Sequence, residues 1–381
     1  MFRSCLFLIV VLSGLPGLAE ALESAPDDYQ AALGQWKQHV QQVQQLRDKM
    51  QNAVGDQRSS LERQYVTAIE EGEEALAQFT AAAENQLSRD SDHQEEAEKF
   101  LRARLLDLMA RDDFEPMLHI SQTLIDHGTQ TTDVYEAAAI AAYMNHQTQL
   151  ATGYLQEAEK KGVVSNSTRQ LLMNIPYLEK AWSEEKRVRE AEAAADDLPR
   201  VRLSTSKGDV VVELFENEAP LSVANFVHLV DQGFYDGLSF HRVLPHYVAQ
   251  GGCPKGDGTG GPGYTIPSEA DGENYRRHFR GSMSMAKTSE PDSGGSQFFF
   301  AFVPLRQLDG EYTVFGRILE GMDVLGKLQR RNPENPNAPS PDRILKAVVE
   351  RRRDHEYRPT TASKKPLDNS AQSSDAKADP R

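Results

Sequence analysis

Two patterns of apolar positions divide the chain. From about residue 24 to 195, apolar residues recur at helical spacing among Ala, Gln and Glu, and Gly and Pro are rare, which favours helices. Beyond Pro199 the pattern changes to short runs and alternations rich in Gly, Phe and Val, which favour strands. Because proline cannot continue a helix, we predict a helical region over 22–198 and a mainly β domain over 199–353.

A seven-residue spacing occurs early in the helical region. It covers fewer than three heptads, so it predicts packing between helices and at most a short coiled coil. The positions that carry it are Trp36, Val43 and Met50, with His39, Leu46 and Ala53 between them.

A longer repeat follows. Residues 133–162 resemble one tetratricopeptide unit, with a polar turn near His146, and residues 100–128 read as a poorer copy whose turn at Asp112 lies 34 positions earlier. Such arrays usually need about three units to be stable, so an ordinary pair of helical hairpins is an equal alternative. In either case we expect this region to pack against or bind a protein partner, since it carries no catalytic motif.

The β domain has no alternating strand–helix rhythm. Two strands surround a turn at 207–209, a helix from Pro220 to Gly233 should bury one apolar face, and a short helix at 322–331 precedes a final strand at 344–352. Further strands are expected at 239–244, 247–250, 282–286, 297–302 and 312–319. About eight strands and two helices predict a closed antiparallel barrel capped by helices, which makes the protein multidomain, with an all-α N-terminal region.

The ends of the chain carry their own signals. Arg3, the apolar run 6–12 and the small residues Ala19 and Ala21 form the pattern of a signal peptide over 1–21, cleaved after about Ala21. The apolar run is too short to anchor the protein, and no later segment is long and apolar enough for a stable membrane span. We therefore predict export, with a bacterial periplasm favoured because no ER-retention ending is present. Residues 354–381 should form a disordered polar tail.

Composition excludes several functions. The net charge is −15 and no basic stripe is present, which argues against nucleic-acid binding. After removal of the signal, Cys253 is the one remaining cysteine, so no internal disulfide is expected. His241 and His246 lack a third ligand at suitable spacing, and the glycine-rich segment 251–264 lacks the Lys-Ser/Thr ending of a phosphate-binding loop. Neither a metal nor a cofactor is predicted.

The segment FHRVLPHYVAQGG (240–252) places the charged Arg242 where a strand usually carries an apolar side chain. An arginine at a strand edge can simply extend to water, but several motifs accompany this one. They are GTGG (258–261), GSMSMAK (281–287), GSQFFF (295–300) and LDGEYTVFGRILEGMDVL (308–325). In order and spacing, over about 200–350, they resemble cyclophilin-type peptidyl-prolyl cis-trans isomerases.

This resemblance implies roles for particular residues. Arg242 would be the catalytic cation, with Gln250 holding it or contacting the substrate backbone and Gln297 close by. The backbone of Ala286 and Lys287 would run along the substrate, beside Gln307. An apolar slot for the proline ring would be formed by Tyr247, Val248, Phe299, Leu308 and Tyr312.

The implied chemistry needs neither a proton transfer nor a covalent intermediate. Rotation about an X–Pro bond is slow because the amide loses its resonance at a barrier of ~18–20 kcal/mol. An enzyme has only to bind the twisted amide better than either planar form. A fixed cation can donate to the lone pair that the prolyl nitrogen regains, and a guanidinium keeps its charge at every physiological pH. The substrates would be proline-containing polypeptides.

Several slot residues depart from the family's most frequent pattern. Tyr247 stands where Phe is common and Val248 where Met is frequent; Tyr312 replaces His, Lys287 replaces Asn and Gln307 replaces Trp. These departures leave catalysis in place and predict weak inhibition by cyclosporin. The alternative function is a catalytically weak binding or chaperone module whose main role lies in the helical half. The retained Arg, Gln and Phe favour the isomerase, since a scaffold does not need them.

Overall fold

A computed structural model describes residues 27–88 and 93–362, and the predicted signal peptide lies outside these residues. The N-terminal part of the described chain is entirely helical, as the apolar spacing predicted. Its helices are α1 (Asp27–Gln51), α2 (Gly55–Leu87), α3 (Gln94–Ala110), α4 (Phe114–Asp126), α5 (Thr132–Met144), α6 (Thr148–Lys161), α7 (Asn166–Leu172) and α8 (Ile175–Ala195).

The first two helices form an antiparallel hairpin. The Trp36 ring of α1 stacks on Phe79 of α2 at 5.5 Å between centroids, and Phe100 of α3 lies 4.2 Å from Phe79. Nearer the hairpin turn, Val43 and Leu46 bury their side chains in a smaller cluster with α2. The seven-residue pattern therefore packs the hairpin together, and a coiled coil as such stays a prediction.

Two further hairpins follow, α3–α4 and α5–α6. Their turns contain Asp112 and His146, which both adopt left-handed backbone conformations, with φ of 58° and 62°. The two turns are 34 positions apart, as the sequence pattern indicated. Whether the hairpins are degenerate tetratricopeptide units stays a prediction, since two helical hairpins can pack in this way without belonging to a repeat array.

The C-terminal part is a curled antiparallel sheet of eight strands with two helices. The strands are β1 (Arg200–Thr205), β2 (Gly208–Leu214), β3 (Arg242–Val243), β4 (Val248–Gly251), β5 (Ser282–Met285), β6 (Phe298–Ala301), β7 (Val314–Glu320) and β8 (Ile344–Arg351). The helices are α9 (Pro220–Asp231), between β2 and β3, and α10 (Met322–Lys327), between β7 and β8. The fold class predicted from the sequence is confirmed.

The strands lie in the order β3-β4-β6-β5-β7-β2-β1-β8. The barrel is closed between its edge strands by a single antiparallel bridge from Ser239 to Arg343 and by neighbouring backbone hydrogen bonds, such as Phe240 N–H to the Asp342 carbonyl at 2.9 Å. One strand is much shorter than expected. The predicted strand 239–244 is wrong in length, because only Arg242 and Val243 pair with β4 before the chain turns through His246, whose φ is 57°.

Aromatic side chains fill the interior of the barrel. Phe298 and Phe300 of β6 are fully buried, and their rings meet edge to face at 5.5 Å. Phe226 of α9 packs against Phe298 and against Phe315 of β7. Val223, Val227 and Val230 of α9 are buried as well, so the helix buries one apolar face as predicted. Alternation along β6 therefore directs Phe298 and Phe300 inward and leaves Phe299 for the opposite face.

Buried ion pairs join the helical region to the barrel. Arg276 is 4% exposed, and its guanidinium donates two hydrogen bonds to Glu185 of α8, at 2.6 and 3.0 Å. Glu192 of α8 pairs with Arg276 and with Arg317 of β7. Because burying a charge is costly unless it is paired, these contacts need both halves of the chain.

An aromatic cluster forms a second joint between the halves. Phe279 of the barrel packs edge-on against Trp182 of α8, with centroids 5.1 Å apart. The His146 ring, from the α5–α6 turn, lies 4.2 Å from Trp182 and 5.3 Å from Phe279. Burial, helped by the charges of Arg189 and Arg280, lowers the pKa of His146 to about 3, so this imidazole is neutral at physiological pH.

The first part of the polar tail predicted over 354–381 packs on the barrel, so the prediction is wrong for residues 354–362. The Tyr357 ring is buried, and its hydroxyl donates to Glu216 at 3.0 Å, while the Ala362 amide donates to the Thr265 carbonyl. A single buried aromatic thus holds this stretch on the barrel, and the rest of the predicted tail, 363–381, lies outside the described residues. Within 27–88 and 93–362, no helix is both long and apolar enough to cross a membrane.

Candidate active site

Arg242 lies at the paired start of β3, directly opposite Gln250 of β4. Its Nη1 atom is 3.5 Å from the Gln250 side-chain oxygen, and its guanidinium carbon is 5.4 Å from the centre of the Tyr247 ring. The side chain is half-buried, and within 27–88 and 93–362 no carboxylate forms an ion pair with it. A positive charge is therefore held on the sheet surface by an amide and an aromatic face.

A relay of amides fixes Gln250. The Gln250 side-chain nitrogen donates to the Gln297 side-chain oxygen at 3.0 Å. Gln297 in turn donates to the carbonyls of Gly258 and Gly260, both at 2.8 Å. Because both donors and the acceptor of Gln297 are engaged, the orientation of its amide is determined by its partners. The two glutamines hold the glycine-rich loop against the sheet beside Arg242.

The Cys253 thiol stabilises the same loop from inside. It is buried, and its sulfur accepts hydrogen bonds from the backbone amides of Gly258 at 3.2 Å and Gly260 at 3.3 Å. The sequence therefore provides a structural cysteine here. Within the described ranges, no group of three or more His, Cys, Asp or Glu side chains is arranged to hold a metal ion.

Apolar side chains lie beside the cation on the same face of the sheet. Phe299 pairs with Gln250 across β4 and β6, and its ring meets the Tyr312 ring edge to face at 5.9 Å. Val248 is buried on the strand that carries Gln250, and Tyr247 and Leu308 pack against the core from the rim. Phe299 thus lies next to Gln250, the strand partner of Arg242, and contacts Tyr312, while the grouping of all five residues into one proline slot stays a prediction.

The backbone of Ala286 and Lys287, predicted to run along the substrate, lies beside Gln297 and Tyr312. The Ala286 amide donates to the Gln297 carbonyl at 2.9 Å, which continues the pairing of β5 with β6 beyond the strand end. The Lys287 ammonium lies 4.6 Å from the centre of the Tyr312 ring. Gln307 is exposed and lines a cavity between the barrel and the helices, next in the chain to Leu308.

Sequence reasoning missed three residues that support the slot. The His278 ring lies parallel to Phe299, with centroids 5.9 Å apart, and its Nε2 is 3.0 Å from the Ser284 hydroxyl. Asp309 accepts a hydrogen bond from the His278 amide at 2.7 Å and from the Tyr177 hydroxyl of α8 at 2.6 Å. Burial and the hydrogen bond to Asp309 raise the pKa of Tyr177. A lone histidine in a loop gives no sequence signal for such a role.

His241, next to Arg242, does not add charge to the site. Its ring is buried, and burial, followed by the nearby Arg242 charge, lowers its pKa. The imidazole is thus neutral near pH 7 and leaves Arg242 as the cation on this face. The site combines one fixed cation, two oriented amides and an apolar slot, which together can bind a peptide group without any covalent chemistry.

Comparison with known proteins identifies the family of the C-terminal domain. Residues 200–349 match the family model for "Cyclophilin type peptidyl-prolyl cis-trans isomerase/CLD". A peptidyl-prolyl cis-trans isomerase of Helicobacter pylori is 54% identical over 130 residues, which cover 34% of this chain and 78% of that protein. Peptidyl-prolyl cis-trans isomerase B of Bacillus subtilis is 53% identical over 111 residues, covering 29% of this chain and 76% of that protein.

A solved structure of a cyclophilin-type isomerase from Cryptosporidium parvum is 32% identical, covers 40% of this chain and 97% of that one, and has a TM-score of 0.37. The relatives define the class of the domain as a peptidyl-prolyl cis-trans isomerase, and the chain belongs to the cyclophilin-type peptidyl-prolyl cis-trans isomerase family. Its activity is therefore peptidyl-prolyl isomerisation, and its substrates are proline-containing peptides.

Proposed function

We propose that the barrel accelerates X–Pro rotation by binding the twisted amide, with Arg242 donating to the prolyl nitrogen. The observation that carries this mechanism is the Arg242 guanidinium, which has no carboxylate partner in the described ranges and is held over Tyr247 beside Gln250. A half-buried cation without a counter-ion is costly, so its retention points to a ligand that uses it.

The apolar slot supplies the second requirement. Holding the pyrrolidine ring against Phe299, Tyr312 and Leu308 fixes one side of the bond while the other side rotates. Each ~1.4 kcal/mol of preferential binding to the twisted amide gives a factor of ten in rate. Loss of one preorganised donor of this kind costs about 3–4 kcal/mol in well-studied enzymes, so Arg242 can supply more than a hundredfold.

The test compares full-length variants in an exchange experiment by NMR or in a protease-coupled assay on an Ala-Pro peptide. Arg242→Ala should lower kcat/KM by about a hundredfold or more, while the circular dichroism spectrum stays unchanged. Arg187→Ala, on the exposed face of α8, is a matched control that should keep full activity. An inactive but folded wild-type protein would move the function to the helical half, and an active Arg242→Ala variant would exclude the mechanism.

We also propose that the polypeptides on which the protein acts are exported ones, in a bacterial periplasm. The support is the signal-like pattern over 1–21, with its positive Arg3, apolar run and small residues before Leu22. Fractionation of bacteria that produce the full chain should recover it in the periplasm with a new N-terminus near Leu22. Recovery in the cytoplasm with Met1 still present would contradict this.

A second candidate function is the holding of unfolded clients by the helical region. It is favoured by a cleft of about 1130 Å³ between the α1–α2 hairpin and the barrel. Tyr65 and the partly exposed Val66 line it from α2, and Leu244 and Pro245 line it from the turn that follows Arg242. A client bound there would lie beside the isomerase groove.

This holding function can be separated from isomerisation. Full-length Arg242→Ala should still delay the aggregation of a denatured client, and Arg242→Ala with Val66→Glu should lose part of that protection. Val54→Glu in the same background is the matched control, because Val54 is 79% exposed in the α1–α2 turn and does not line the cleft. Absence of protection by the full chain would remove this function.

A further inference from the structure

A second cavity lies between the helical region and the barrel, on the far side of the proline slot from Arg242. Its volume is about 430 Å³, within the range of about 300–1,000 Å³ typical of ligand pockets. Helices α5, α7 and α8 form one wall, and the loop 304–309 and the segment 277–279 form the other. Neither half of the chain could form this cavity alone.

Two contacts connect the cavity with the slot. His278 lines the cavity, and the same ring lies parallel to Phe299 of the slot at 5.9 Å. Gln307 and Asp309 also line the cavity, and Leu308 between them packs at the rim of the slot. One extended residue spans about 3.3 Å, so a residue up to three positions from a proline in the slot extends up to about 10 Å from it along the peptide.

The cavity has an excess of positive charge at its mouth. Arg306 is exposed there, its guanidinium carbon lies 4.1 Å from the centre of the Tyr177 ring, and it contacts Asn174 at 3.4 Å. Within 27–88 and 93–362 it forms no ion pair with a carboxylate.

The other charged groups in the cavity are already engaged. Arg277 pairs with Glu184 at 2.8 Å. Asp309 accepts hydrogen bonds from the His278 amide and the Tyr177 hydroxyl, so both of its carboxylate oxygens are already engaged. Tyr143, Leu171 and Leu178 provide an apolar lining behind the arginine. A carboxylate at the mouth and an apolar stem inside would match this distribution.

We propose that the cavity is an additional substrate site that takes an acidic side chain located within about three residues of the isomerised proline, with the carboxylate on Arg306. The inference rests on the proposed function, because it assigns a substrate preference to the same groove. It makes the helical region part of the isomerase site. The protein then selects Glu- or Asp-flanked prolines in polypeptide substrates.

The experiment measures kcat/KM of the full-length protein on pairs of Ala-Pro peptides. In each pair one position, from three residues before to three residues after the proline, is either Glu or Gln. At one or more positions the wild-type protein should prefer Glu by about two- to fivefold, the range expected of a partly exposed ion pair, and 0.5 M salt should remove the preference. Arg306→Gln should abolish the preference and keep the rate on the Gln peptides, and Arg306→Glu should reverse it, so that the Gln peptides are turned over faster than the Glu peptides.

Arg187→Gln removes an exposed arginine of α8 that does not line the cavity, so it should keep the preference. Equal rates on Glu and Gln peptides at every position would overturn the proposal, and so would a preference that survives in Arg306→Gln. Absence of turnover by the wild-type protein on every peptide would instead count against the proposed function, because turnover of the Gln peptides does not depend on Arg306.

Discussion

The buried carboxylate of Asp112, in the turn of the second helical hairpin, accepts a hydrogen bond from the backbone amide of His246 at 3.0 Å and lies 2.7 Å from its Nδ1. The same carboxylate accepts from Arg330 at 2.8 Å. His246 directly precedes Tyr247, over which Arg242 is held. A turn of the helical region thus fixes one wall of the isomerase groove.

Removing the charge of Asp112 should loosen this wall. Asn tolerates the left-handed backbone at this position, so Asp112→Asn changes the charge without straining the turn. We expect a loss of about 1.5–3 kcal/mol in the free energy of unfolding, because hydrogen bonds to a buried charge are lost, together with a several-fold lower kcat/KM. Urea unfolding and the peptide assay measure the two effects. Asp126→Asn, at the exposed end of α4, is the control, and an equal response of both variants would contradict the prediction.

Neighbouring phenylalanines of β6 should separate stability from activity. Phe300→Leu alters the barrel interior and should lower the free energy of unfolding by about 1–2 kcal/mol while kcat/KM stays unchanged. Phe299→Leu alters the slot and should lower kcat/KM by about tenfold, or about 1.4 kcal/mol of transition-state binding. Thermal unfolding and peptide kinetics on both proteins provide the comparison. If Phe300→Leu were the less active of the two, the assignment of faces would be reversed.

Gln297 offers a test of the amide relay. Its nitrogen donates to two glycine carbonyls, which a carboxylate cannot do. Gln297→Ala should lower kcat/KM by severalfold because the loop loses an anchor, and Gln297→Glu should lower it further, since its carboxylate faces two carbonyl oxygens and can draw Arg242 away from the substrate. Higher activity in Gln297→Glu than in Gln297→Ala would show that the hydrogen-bond directions are different.

The sequence was sufficient for the fold because its signals are local. The apolar face of α9, the alternation around Phe299 and the helix stop before Pro199 depend on neighbouring residues, and each lies where it was expected. The length of the strand around Arg242 was overestimated because the chain turns at His246. This turn depends on a contact with Asp112, which is far away in the sequence. No local pattern encodes that partner.

The residues of the candidate site also form two groups, those that local motifs predicted and those that the sequence did not reveal. Arg242, Gln250 and Gln297 belong to motifs and come together through strand pairing, so the motifs were enough to predict them. Tyr177 supports the slot only because α8 packs against the barrel, and His278 lies in a loop that carries no local pattern. The relative placement of two halves depends on surface complementarity, which a single sequence does not display, and the cavity beside Arg306 was missed for that reason.

Stability should depend on pH through His146. Its folded pKa of about 3 is below the unfolded value of ~6.5, so the unfolded chain binds more protons between these pH values. The contribution of His146 to the free energy of unfolding is therefore complete above pH ~6.5. It falls by up to about 1.4 kcal/mol per pH unit as the pH drops towards 3. Denaturant unfolding from pH 7 to 4 measures this slope.

His146→Asn is the matched variant, because Asn tolerates the left-handed conformation and does not titrate. Its unfolding free energy should decline less steeply with acid than that of the wild type, while the shared contributions of all other groups cancel in the difference. Identical slopes would mean that His146 is already accessible to protons in the folded protein.

Both tryptophans of the chain, Trp36 and Trp182, belong to the helical region, and the barrel has none. Trp182 lies at the joint, in contact with Phe279 of the barrel, and its ring centre is 4.6 Å from the guanidinium carbon of Arg189. Trp36 instead packs between Phe79 and Phe100 of the N-terminal hairpins. The protein therefore carries an intrinsic fluorophore at the joint between its two halves. Emission from Trp182 reports the environment of this joint without any added label, and Trp36 serves as an internal reference.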